Sequence, residues 1–126
     1  MTRTIIATLA APKAPPSYSQ AVKVAGHVFV SGTAPVDPDT GQLVEGPVQI
    51  QVAQCLRNIA AILEAAGSSL QKAVSATLIV ADEDDFAAAS EEWLKWFPTD
   101  PPARQGAKLP VRIPGLKISI AMIAEA

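Results

Sequence analysis

The chain reads as an α+β protein, a mixed sheet with two helices packed on one of its faces. Three observations predict this. Short β-rich runs with period-two alternation recur along the 126 residues. Two other stretches repeat apolar residues at helical spacing. The resulting order is β-β-β-α-β-α-β-β, and crossovers of one hand place both helices on the same side of the sheet.

Thr4 to Leu9 is a short edge strand, and the proline-rich stretch from Pro12 to Pro16 that follows is extended and irregular. Gln20 to Val24 and His27 to Gly32 flank Ala25-Gly26, which predicts a hairpin with its tight turn at the glycine. Pro35 to Gly41 is a turn-rich surface loop. Between Pro47 and Ala66, the residues Val52, Cys55, Leu56, Ile59, Leu63 and Ala66 share one helical stripe. Pro47 suits the first turn and Gly67 the stop. Ala73 to Ala81 alternates Val74, Ala76, Leu78 and Val80 with Ser75, Thr77 and Ile79, as a strand with one well-buried face does. Asp82 and Asp84 can cap a second helix, striped by Phe86, Ser90, Trp93 and Phe97 and ended by Pro98. Ala103 to Leu109 and Leu116 to Ala124 complete the sheet.

Composition narrows the function. Hydrophobic residues make up 49% and charged residues 17%, which leaves apolar surface that a lone copy would struggle to hide, so self-association is expected. The net charge is −2 and the basic residues are scattered, so a nucleic-acid partner is not expected. One cysteine and one histidine supply neither a disulfide nor the usual zinc set. No apolar run approaches the roughly 20 residues of a membrane span. A single domain over 1–126, soluble and cytoplasmic, without a metal, is the expectation.

The sheet face opposite the helices carries Ser75, Thr77, Ile79, Ser119, Ala121 and Ile123, too apolar for free solvent and too small and polar for a monomer core. Burial against another copy satisfies both constraints. Arg104 follows Pro101-Pro102-Ala103 and shares one face of its strand with Gly106 and Lys108. A guanidinium is always charged and holds its donors in a rigid fork, so a sheltered one selects a planar anion such as a carboxylate. Residue type alone leaves two readings: the anchor of a small-molecule pocket, or a strand arginine reaching solvent or an Asp.

Taken together these features resemble the Rid family, the reactive intermediate deaminases also called YjgF-like proteins. The likeness spans nearly the whole chain. It rests on Ser17-Tyr18-Ser19-Gln20-Ala21, on Phe29-Val30-Ser31-Gly32 followed by Pro35, on Asn58 and Ala66-Gly67-Ser68, and on Asp85-Phe86. Pro102-Ala103-Arg104 and the closing Ile118 to Ala124 complete it.

The resemblance implies a chorismate-mutase-like protomer assembled as a homotrimer with clefts between neighbouring copies, and no cofactor. Family members with activity hydrolyse short-lived 2-enamine or 2-imine carboxylic acids to the 2-keto acid and ammonia. In that pattern Arg104 clamps the substrate carboxylate, Tyr18 lies at the pocket edge, and Ser31 with Gly32 lines its wall. Departures are equally informative. Ser119 stands where deaminating members carry the glutamate that holds the attacking water, Gly106 where many have cysteine, Ser90 where many have asparagine, and Thr33 where glutamine is common. A serine hydroxyl orients water but is no base near neutral pH without a helper.

Two functions from different classes follow. In a hydrolytic deaminase Arg104 and Ser119 are the catalytic pair, a backbone group near Gln105 and Gly106 steadies the substrate, and Tyr18, Ser31, Gly32 and Ser90 complete the site. In the alternative, the chain is a non-catalytic or altered-specificity trimeric binder of small carboxylates, its pocket enlarged by the smaller side chains. Cys55 on the apolar stripe reads as core, His27 as a solvated turn residue, and Asp82 to Asp85 as helix capping.

Overall fold

The computed structural model describes residues 2–126. Strands β1 (Thr4–Ile6), β2 (Ala21–Val24), β3 (His27–Thr33), β4 (Ala73–Val80), β5 (Ala103–Lys108) and β6 (Ile118–Glu125) form one sheet in the order β1-β2-β3-β6-β4-β5. Only β4 and β5 run parallel, joined through helix α2 (Phe86–Trp96); the other neighbours are antiparallel. Helix α1 (Val48–Ala65) connects β3 to β4. No helix among the described residues is long and apolar enough to cross a membrane.

The predicted stripe of α1 is the heart of the core. Val52, Cys55, Leu56, Ile59 and Leu63 are fully buried against Leu78 of β4 and Ile118 and Ile120 of β6. Each of the aliphatic side chains among them contributes about 1.5–3 kcal/mol of burial. The helix stops at Gly67, whose φ of +83° suits glycine; its N–H bonds Glu64 O at 3.0 Å and that of Ser68 bonds Leu63 O at 2.8 Å. Asp82 caps the short turn before α2, its carboxylate accepting from Asp84 N at 2.9 Å, while Asp84 itself does not cap. Cys55 lies inside the core as expected, and burial pushes its thiol up.

Several boundaries differ from the sequence expectation, each for a local reason. The first strand ends at Ile6 rather than Leu9, because Gln20 Oε1 takes the Thr8 N–H at 2.7 Å and draws the chain off the sheet. The last strand opens at Ile118 rather than Leu116, whose N–H closes a turn onto Ile113 O around Gly115. Val74, expected on the buried face, is 42% exposed because a register shift between Ala73 and Ser75 turns it outward.

Candidate functional site

Two clusters of candidate residues emerge, separated by two strands of the sheet. One sits where β3 breaks its ladder. Val30 pairs with Met122 and Thr33 with Ile120, so Ser31 and Gly32 together face only Ala121. Such a bulge bends the strand and re-aims its residues. The Ser31 N–H bonds Gln20 O at 3.0 Å and its hydroxyl donates to Ser19 O at 2.6 Å, tying the bulge to the segment that carries Tyr18. A cleft of about 230 Å³ results, lined by Tyr18, Ser31, Gly32, Thr33 and Lys13 among others. Ser119 adjoins it: a Cβ placed on Gly32 would meet Ser119 Oγ at 3.2 Å. Tyr18 is 53% exposed at the rim.

Gln20 holds this cluster from behind. Buried to 7% exposure, its amide donates to Thr8 O at 3.1 Å and Pro12 O at 2.8 Å while its carbonyl accepts from Thr8 N. Sequence reasoning placed Gln20 in the motif without assigning it this role.

The second cluster lies on β5. Arg104 and Gly106 pair in register with Ala76 and Leu78, both buried under the helices, so their side chains point to the helix side. Arg104 Nη2 donates to Ser90 Oγ at 3.0 Å, and the guanidinium carbon stands 5.3 Å from the Phe86 ring centroid and 5.8 Å from that of Trp93. The ion pairs among the described residues are Lys95–Glu92 and Lys108–Glu83, so Arg104 has no acid of its own chain. Gln105 points the opposite way, its amide donating to Thr77 Oγ1 at 2.6 Å on the open sheet face.

Gly106 overturns one expectation. Its small size does not enlarge a pocket, because a Cβ there would lie 2.8 Å from Phe86 Cε1; the ring already fills that space. Phe86 and Trp93 read in sequence as core stripe, yet they bracket the arginine. The available signal was Ser90, a polar residue breaking an apolar stripe between them.

Arg104 and Ser119 are not brought together within one chain. Ser119 lies between fully buried Ile118 and Ile120 and so faces the open side, while Arg104 faces the helix side. The bulge strand β3 and strand β5 are separated by β6 and β4, a span of about 14 Å at ordinary strand spacing.

The family model described as Endoribonuclease L-PSP matches residues 8–126. The chain belongs to the Rid family. A 2-iminobutanoate/2-iminopropanoate deaminase of Capra hircus is 39% identical over 124 residues, covering 98% of this chain and 90% of that one. The crystal structure of the Rid-family protein YyfA from Yersinia pestis superimposes with a TM-score of 0.92 at 32% identity, covering 99% and 100% of the two chains. E. coli TdcF, solved with bound serine, gives 0.88 at 33% identity over 98% of each chain. The six-stranded sheet with two helices is therefore a Rid fold.

Proposed function

We propose that this Rid protein hydrolyses reactive 2-imino carboxylic acids and their enamine tautomers to 2-keto acids and ammonia, in a cleft shared between copies of a homotrimer. The observation that carries the reading is Arg104, a guanidinium without an acidic partner among the described residues, held by Ser90 and two aromatic rings. A carboxylate is its natural complement, and fork-to-fork pairing fixes the orientation of an imino acid. The deaminase named among the relatives supports the same substrate class, and the serine bound by TdcF, itself a small carboxylate, is in keeping with it.

The chemistry asks little of the protein. Water adds to the imine carbon as one of its protons passes to nitrogen, and the hydroxyl proton of the carbinolamine then moves to nitrogen as the C–N bond breaks, releasing ammonia and leaving the carbonyl. Imines of this class react with water unaided, so orientation and electrostatic stabilisation of a few kcal/mol, at about 1.4 kcal/mol per tenfold, suffice for a useful rate. In the proposed cleft Arg104 binds the carboxylate, the backbone near Gln105 and Gly106 steadies developing charge, and Ser119, beside Gly32, orients the water. Tyr18, Ser31 and Gly32 form the facing wall, contributed by the neighbouring copy. Ser31 acts mainly through its backbone and lone pairs, since its proton is committed to Ser19 O.

One observation favours the second reading, a binder or an enzyme of altered specificity: Ser119 is not a carboxylate. Generating 2-iminobutanoate in place with a dehydratase and following its decay separates the two. The deaminase reading expects the parent to shorten the intermediate's lifetime and Arg104→Ala to decay as in buffer. A parent no faster than buffer, or an Arg104→Ala protein as fast as the parent, overturns it. Calorimetric binding of a 2-keto acid without turnover would instead establish the binder.

A further inference from the structure

The setting of Arg104 implies more than a free cation. Phe86, Ser90 and Trp93 form one strip of α2, and all three meet the same guanidinium. Gly106, two residues beyond Arg104 on the same face of β5, would bring a Cβ to 2.8 Å from Phe86 Cε1 and 3.1 Å from Cζ. Carbon atoms do not approach so closely, so the ring occupies the volume a side chain at 106 would need. We infer that Phe86 and Ser90 are positioning residues for Arg104, and that residue 106 is glycine so that the Phe86 ring lies against β5 beneath the guanidinium.

Each part has a physical task. An exposed arginine loses rotamer entropy when it binds a ligand, and the aromatic faces reduce that loss by restricting the side chain beforehand. Ser90 takes one of the five N–H donors and leaves the others for a carboxylate. Because its hydroxyl is neutral, it orients the charge without cancelling it. An acid at 90 would satisfy the fork internally and compete with any ligand.

The inference rests on the proposed clamp role of Arg104 only for its effect on ligand binding; the positioning itself is measurable without ligand. Guanidinium rotation in the free protein, read by nitrogen NMR, is expected to be slower for Arg104 than for exposed Arg112. Ser90→Ala and Phe86→Leu should release it, and Phe86→Tyr should keep it slow. Gly106→Ala should release it in the parent but add nothing in the Phe86→Leu background. Pyruvate affinity should fall about two- to fivefold in Phe86→Leu, and Ser90→Asp should abolish binding. The inference is overturned if Arg104 rotates as freely as Arg112 in the parent, or if Gly106→Ala acts equally in both backgrounds. Loss of the deaminase reading alone leaves these NMR outcomes unchanged, so the two fail separately.

Discussion

At the residue scale, side chains whose role is set by charge or by apolar periodicity were visible in the sequence, and side chains whose role is set by distant carbonyls were not. Arg104 stood out because a permanent cation on a strand of small residues demands explanation. Gln20 did not, because its partners at Thr8 and Pro12 lie 12 and 8 residues away and are backbone atoms, which residue type does not encode. Yet Gln20 fastens the N-terminal segment to the bulge that carries Ser31. Replacing it with Ala removes the partner of the half-buried Thr8 N–H and of the Thr8 and Pro12 carbonyls, an expected loss of about 1–3 kcal/mol. Gln20→Glu should be at least as damaging at neutral pH, since a carboxylate would face the carbonyls the amide now bonds. Urea unfolding gives the stability change, and hydrogen exchange at Thr8 should accelerate in Gln20→Ala, which removes the acceptor of that N–H. An exchange rate at Thr8 equal to that of the parent would show that the segment is held by something other than this amide.

At the element scale, periodicity located both helices and the central strands β4 and β6, while β1 and β5, short or exposed throughout, were placed by the flanking prolines and the need to complete the sheet, and the ends and irregularities escaped both signals. The bulge at Ser31 and Gly32 and the outward turn of Val74 depend on register with β6, a property of two strands that neither strand carries alone. Helix α1 hid a second function behind its apolar stripe. Its buried Asn58 donates to Ala34 O and Val36 O, and Gln51 bridges Val44 O, Gly115 O and Lys117 N, so the helix also pins two loops. The hairpin turn was read at the right place, but its strain was not. Ala25 has φ +53° and Gly26 φ +77°, both left-handed, the pattern of a type I′ turn in which Asn-Gly is favoured and alanine is penalised. Ala25→Asn should therefore raise stability by about 1 kcal/mol, seen as a higher denaturant midpoint with an unchanged slope. A lower midpoint would mean that the exposed alanine makes a contact worth more than the relieved strain.

At the scale of the whole molecule, the fold divides the candidate site and thereby sets a condition on activity. Arg104 leaves the helix side of the sheet at β5, whereas Ser119 meets Gly32 on the open side, and the cleft of Tyr18 and Ser31 lies at the end of β3 and reaches Ile62 of α1. The parts were legible one by one as residues, but their separation was not, because strand order and facing emerge only when the sheet closes in the order β1-β2-β3-β6-β4-β5. A proposed cleft that uses both clusters must take them from different copies, and the partly exposed Ser75, Thr77, Ala121 and Ile123 of the open face offer the surface for that contact. Subunit mixing tests this directly. Arg104→Ala keeps the wall, and Gly32→Val keeps the arginine but crowds Ser119; each alone should be inactive. If every cleft draws its arginine from one copy and its wall from the next, equal mixtures that exchange subunits recover about one quarter of parental activity, since two independent halves must each be intact. Mixtures that exchange but remain inactive would mean that one chain supplies the whole site, and the division seen across this sheet would then have no bearing on catalysis.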